Sequence, residues 1–171
     1  MNNQKQNKKP IIWTISGSDC SGGAGIAADI KTGHALGIEV CHLITANTVQ
    51  NSTSLLSVNA TSIKILQQQV DALYEDKTPT IIKIGLIANT EQVQWLAATV
   101  AMLKQKNKLL ITIYDPVGQA SVGGSLNTLS LAELTPLLKQ VDITTPNINE
   151  AKALAATTGT SATLAQKIYH D

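Results

Sequence analysis

The stretch Ser16-Gly17-Ser18-Asp19-Cys20-Ser21-Gly22-Gly23-Ala24-Gly25 decides how the rest of the chain is read. An apolar, β-branched run from Ile11 to Ile15 leads into it, and a small-residue run, Ile26-Ala27-Ala28-Asp29-Ile30, leads out. Strand, glycine loop and helix in that order bring backbone N–H groups and a helix N-terminus up to a ligand. Four glycines leave room for close backbone approach and for positive φ. A tight strand-to-helix turn with no ligand is the competing reading of the same pattern. Two phosphate loops fail on inspection. Gly17 and Gly22 have Walker spacing, but Gly23 and Ala24 follow where Lys and Ser/Thr are required. The pattern Gly-x-Gly-x-x-Gly fails because Ser18-Asp19 follow Gly17.

Outward from the loop, Gly37 caps the first helix, and Val40 to Thr45 reads as a buried parallel strand whose end carries Gln50. Residues 52–60 read as a polar loop or short edge strand. Thr61 or Ser62 opens a helix with Ile63, Leu66, Val70 and Leu73 at helical spacing. Thr80 to Ile87 is the next expected strand, with Gly85 marking a close approach. Thr90 opens a helix carrying Val93, Leu96, Val100 and Leu103, and Leu109 to Tyr114 is a strand ending in Asp115-Pro116-Val117. A loop with Gly118, Gly123 and Gly124 follows, then a helix from Leu131 to Val141 that Pro136 should kink or divide. A short strand from Val141 to Thr144 and a helix from Pro146 to Ala156, capped by Gly159, complete the series.

Strands alternating with helices, without hairpin signals, predict a three-layer α/β/α domain with a mostly parallel sheet. Ligands of such sheets lie outside the C-terminal strand ends. The glycine loop, Gln50, Gly85-Leu86, Asp115 and Asn147 all fall at such ends.

The 171 residues suffice for one α/β domain, and a net charge of +1 offers no electrostatic case for nucleic acid or anionic membrane. Cys20 and Cys41 have neither metal-ligand spacing nor the density of a disulfide scaffold. Met1 to Lys9 is polar and basic, without the apolar core of a signal peptide, and is expected to be a disordered tail. A cytoplasmic protein is the expectation. His34, His42 and His170 are scattered and receive no role.

Gln50 offers one acceptor and two donors in a plane, a match for a ring nitrogen beside an amino group; satisfying loop backbone is its ordinary alternative. Asp29, one turn into the first helix, is favoured there by the dipole and reads equally as a surface charge. Asp115, held before Pro116, can hold Mg²⁺ through water or position a hydroxyl. Asn147 and Glu150 have the spacing of a capping box, and the same groups can order a magnesium–phosphate cluster.

Taken together, Gly17-Ser18-Asp19-x-Ser21-Gly22-Gly23-Ala24-Gly25-Ile26-x-Ala28-Asp29-Ile30-Lys31-Thr32 resembles the N-terminal signature of hydroxymethylpyrimidine/phosphomethylpyrimidine kinases. These are thiamine-biosynthetic members of the ribokinase-like superfamily. Further resemblances follow in order: Ile44-Thr45-Ala46, Gln50-Asn51, Lys83-Ile84-Gly85, Asp115-Pro116-Val117, Ala120-Ser121, Thr145-Pro146-Asn147 and Glu150-Ala151. The resemblance implies transfer of the ATP γ-phosphoryl group, with Mg²⁺, to a hydroxymethyl-aminopyrimidine and then to its monophosphate. It implies that Gln50 and Asp29 hold the pyrimidine, that Gly17, Val117 and Leu86 line the pocket, and that Asp115, Asn147 and Glu150 face metal and phosphates.

The sequence departs from the family pattern at Leu86, where methionine is usual, and at Thr48, Gly118 and Gly124. The resemblance also implies that residues 10–171 are a kinase domain incomplete at its C-terminus, with the catalytic base and most of the ATP pocket expected beyond Asp171. A non-catalytic binding remnant and a pyridoxal-type kinase are the alternatives. A homodimer stays open, as does a downstream fusion to thiamine-phosphate synthase, to whose fused versions Pro10 to Ile15 is similar.

Overall fold

The computed structural model describes residues 9–117 and 129–155. Strand β1 (Ile11–Ser18) enters the glycine loop, α1 (Gly25–Ala35) leaves it, and β2 (Glu39–Gln50) returns beside β1. Then come β3 (Leu55–Ala60), α2 (Ile63–Asp76), β4 (Ile81–Ile84), α3 (Thr90–Lys106) and β5 (Ile111–Tyr114). Helix α4 (Leu131–Leu138), β6 (Ile143–Thr144) and α5 (Ile148–Leu154) follow. The sheet order is β3-β2-β1-β4-β5-β6, with every pairing parallel except β2–β3.

Side-chain alternation along the central strands separates two faces. Trp13, Ile15, Ile82 and Ile84 join Leu66 and Val70 of α2, Val93, Leu96 and Val100 of α3, and Leu134 and Leu137 of α4 in one core. The intervening positions point the other way, where Thr14 and Lys83 both reach Asp29 of α1. Right-handed crossovers running in opposite directions from β1 place α1 and α3 on opposite faces, which gives three layers. Gly33 lets α1 lie close to the sheet, since a Cβ there would come within 2.2 Å of Val40 Cγ2.

Several expected boundaries move, each for a local reason. From Ala46 to Gln50, β2 also pairs antiparallel with β3, while its parallel pairing with β1 reaches Asn47, so a hairpin exists where none was expected. Its turn is closed by Asn51, whose Oδ1 accepts from the backbone N–H groups of Thr53 and Ser54 at 2.9 Å each. Strand β4 ends at Ile84: Gly85 N–H makes one last bond to Ile15 C=O at 2.9 Å, and Leu86 N–H then turns to a β1 side chain, Ser16 Oγ, at 3.2 Å. The close approach at Gly85 is made by the chain itself, a Cβ there falling 2.3 Å from Ser16 Oγ. Helix α4 runs unbroken through Pro136, which lacks only the N–H for Ala132 C=O, and it ends at Leu138, where Gln140 N–H turns to Leu137 C=O; a Ser130–Glu133 capping box starts it. Helix α5 begins at Ile148 with Asn147 as its cap. The expected tail at residues 1–9 (but for Lys9), Gly118, Ala120-Ser121, Gly123, Gly124, Gly159 and His170 lie outside the described residues.

Candidate functional site at the strand ends

The C-terminal ends of β1, β2, β4 and β5 are fastened to one another by their own polar groups. Thr48 Oγ1 donates to Ser18 C=O at 2.9 Å, and the Cys20 thiol donates to Gln50 C=O at 2.9 Å. The departure at Thr48 therefore has a use in this chain: its hydroxyl ties β2 to the loop. Gly17 faces Leu86, and a Cβ at residue 17 would come 2.5 Å from Leu86 Cδ2. Leu86 and Ala46 form a small buried apolar cluster, with Leu55, Val58, Ala88 and Val117 packed against it. Three of the pocket residues expected from the sequence, Gly17, Leu86 and Val117, thus stand around one apolar patch.

Within the loop, Asp19 is the organising group. Its Oδ1 accepts from Ser21 N–H and Ser21 Oγ at 2.8 Å each, and its Oδ2 from Gly23 and Ala24 N–H at 3.0 Å each. Gly22 (φ 75°) and Gly25 (φ 56°) take the left-handed conformations that bend the loop around this carboxylate. Burial works against ionisation of Asp19, but hydrogen bonds from the Gln50 side chain, Ser21 and Gly23 outweigh it and lower its pKa from 3.8 to about 2. Because the folded value lies below the unfolded one, the carboxylate stabilises the fold fully above about pH 4. That contribution should fade as pH falls from about 4 to 2. Acid titration of thermal stability checks this: Asp19→Ala should flatten the curve in that window, and an unchanged acid limb would contradict the assignment.

Asp29 stands on the sheet side of α1. Its carboxylate accepts from Thr14 Oγ1 and pairs with Lys83 Nζ at 3.2 and 3.3 Å. Lys83 also lies 3.5 Å from Asp115 Oδ2, so one half-buried cation spans the two carboxylates. Thr145 Oγ1 donates to Asp115 Oδ1 at 3.3 Å, joining the ends of β5 and β6. Asn147 and Glu150 cap each other's backbone: Asn147 Oδ1 accepts from Asn149 and Glu150 N–H, and Glu150 Oε2 accepts from Asn147 N–H at 2.8 Å. Burial, and after it the charges of Glu150 and Asp115, push the Tyr114 hydroxyl above its ordinary range. Both carboxylates therefore act on the same corner of the molecule. Among the described residues no three His, Cys, Asp or Glu side chains converge as a metal-ligand group. Two separate hard-oxygen donors fit a largely hydrated Mg²⁺, which is bound through one or two carboxylates plus phosphates.

Asp19 and Lys83 were assigned no role from the sequence. Asp19 sits inside the quoted signature, but its partners are loop N–H groups that no spacing rule reveals. Lys83 meets a carboxylate 54 residues away in the chain.

The sheet order, the glycine loop feeding α1 and the polar groups at the strand ends define a ribokinase-like small-molecule kinase fold. The solved pyridoxal kinase of Staphylococcus aureus has this fold, with a TM-score of 0.75 over 94% of this chain and 59% of that one at 21% identity. The chain belongs to the phosphomethylpyrimidine kinase family, whose model matches residues 19–170. It is 38% identical over 143 residues to the hydroxymethylpyrimidine/phosphomethylpyrimidine kinase of Salmonella typhimurium, covering 82% of this chain and 52% of that protein. The crystal structure of the phosphomethylpyrimidine kinase from Clostridium difficile superposes with a TM-score of 0.73 at 30% identity, over 92% of this chain and 70% of that one. The chain spans about half the length of the bacterial curated relatives it matches. No helix among the described residues is long and apolar enough to cross a membrane.

Proposed function

We propose that the chain carries the acceptor site of a kinase that transfers the ATP γ-phosphoryl group to 4-amino-5-hydroxymethyl-2-methylpyrimidine and to its monophosphate, in thiamine biosynthesis. The observation that supports this best is Gln50 at the end of β2, whose main-chain carbonyl the Cys20 thiol fastens to the glycine loop. An amide edge beside an apolar patch suits a flat heterocycle with an amino group next to a ring nitrogen. Gln50 pairs with that edge, while Gly17, Leu86 and Val117 cover the ring. Asp29, held by Thr14 and Lys83, contributes a fixed negative charge on the same side.

Asp115, Asn147 and Glu150 would hold hydrated Mg²⁺ and face the phosphates of ATP, and Mg²⁺ when bound supplies charge neutralisation of the transferring group. Phosphoryl transfer of this kind depends on positioning and electrostatics, which rigid capping groups at strand and helix ends provide. A cytoplasmic location belongs to the same reading.

Adding the aminopyrimidine to the 171-residue chain at about a hundredfold excess over its Kd should raise the melting temperature by roughly 5–10 °C. Gln50→Ala should abolish the rise without lowering the melting temperature of the free protein. An absent shift in the unmodified chain, or an undiminished one in the variant, counts against the assignment.

A further inference from the structure

Lys83 lies directly across the β1–β4 pairing from Thr14, and both side chains leave the sheet on the face where Asp29 of α1 receives them. On the other side Lys83 is paired with Ile113 of β5, two residues before Asp115. Asp115 N–H is fastened to Ile84 C=O at 2.8 Å, which keeps its carboxylate beside Lys83. The sheet thus sets one ammonium between a carboxylate of α1 and a carboxylate at the end of β5.

The two ends are not held alike. Asp29 receives Lys83 at both oxygens, at 3.2 and 3.3 Å, together with the Thr14 hydroxyl, and its side chain is 22% exposed. Asp115 is 38% exposed; its Oδ2 lies 3.5 Å from Lys83 Nζ, and its Oδ1 accepts from the Thr145 hydroxyl at 3.3 Å. The more buried carboxylate is the costlier one to leave without a charge partner. Lys83 is therefore anchored to Asp29, and Asp115 is the end it can give up.

We propose that Lys83 is a positioning residue shared between the acceptor and metal sides of the site: it neutralises Asp115 as long as no divalent cation does, and withdraws to Asp29 when one engages that carboxylate. Asp29 is the seat that makes the exchange possible, so a change at Asp29 is felt as a change in metal affinity at Asp115. Lysine suits the exchange because its ammonium is a compact charge with rotatable donors on a flexible stem, whereas a guanidinium fork binds one carboxylate in a fixed geometry.

The inference rests on the assignment of Asp115 to the metal, made above, and its test needs neither pyrimidine nor turnover. Mn²⁺, standing in for Mg²⁺, is titrated into the 171-residue chain at low ionic strength. Its affinity is read from paramagnetic broadening of the amide signals of Tyr114, Asp115 and Thr145. Lys83→Met removes the competing charge and should tighten Mn²⁺ about three- to tenfold, an advantage that about 1 M salt largely erases. Asp29→Asn removes the seat and leaves Lys83 to Asp115, so it should weaken Mn²⁺ about three- to tenfold. The paired variant Lys83→Met with Asp29→Asn removes the ion pair whole, leaves no half-buried charge unpartnered, and should still bind Mn²⁺ more tightly than the unmodified chain.

Asp29→Asn should therefore matter far less once Lys83 is gone. An equal weakening in both backgrounds would mean that Asp29 acts through its charge alone. That result, or an affinity unmoved by loss of Lys83, overturns the inference and leaves the metal assignment standing. No broadening around Asp115 in any variant overturns both together, and the thermal-shift test with the aminopyrimidine then decides the acceptor site separately.

Discussion

Gln92→Leu should cost this protein about 3–4 kcal/mol of stability, although it places an apolar side chain of similar volume in a buried position. Gln92 is 1% exposed, and its amide serves three separate segments. Its Nε2 donates to Thr45 C=O at 2.8 Å and to Thr61 C=O at 3.0 Å, while its Oε1 accepts from Ala88 N–H at 2.9 Å. One side chain thus bonds to β2, the entry to α2 and the loop before α3. Leucine would remove all three bonds; Thr45 C=O keeps Thr61 N–H at 2.8 Å, but Thr61 C=O and Ala88 N–H lose the Gln92 amide, and each buried orphan costs about 1–3 kcal/mol, not fully additively. Denaturant unfolding should show the loss as a lower midpoint with unchanged slope, and heating should show a drop of roughly 10 °C. A change below about 1 kcal/mol would mean that the freed groups find water or other partners.

Gly25→Ala should be almost as damaging, at about 2–4 kcal/mol, and for a different reason. Gly25 has φ 56° and lies across an isolated bridge from Ser18. A Cβ there would sit 2.2 Å from Gly17 C=O oxygen, a backbone atom that cannot move without opening the loop. Gly37 supplies the comparison. Its φ is 70° and a Cβ there would meet nothing within 4 Å, so Gly37→Ala pays only the left-handed backbone term, about 1–2 kcal/mol. The difference between the two variants isolates the closure of the glycine loop. Equal losses would show that the conformation alone matters and that the contact with Gly17 does not.

How much of this could be read in advance depends on how local each interaction is. The core face of α3 was legible because Val93, Leu96, Val100 and Leu103 repeat at helical spacing, and all four are buried. The Asn147–Glu150 box was legible because its partners are three residues apart. The placement of Gln50, Leu86, Asp115 and Val117 at strand ends follows from strand boundaries alone.

Gln92 was not legible. One glutamine of three on an amphipathic helix reads as its polar face, and nothing near it announces carbonyl groups 31 and 47 residues away. The β2–β3 hairpin was missed because Asn51 closes its turn through four acceptor contacts to Thr53 and Ser54, without the glycine that usually signals one. Lys83 was quoted as part of a motif, yet its value lies in facing Asp29 and Asp115 together, which only the assembled sheet produces.

The strand order has a consequence for how the chain is made. Synthesis delivers β1 first, and in the finished sheet β1 lies between β2 and β4. Strand β2 then joins one side of β1 and β3 joins β2, while β4, β5 and β6 extend the other side in turn. Each newly made strand therefore meets an edge that is already open. None of the described strands has to be threaded between two strands that have paired, so this sheet can grow outward in the order in which the ribosome releases it.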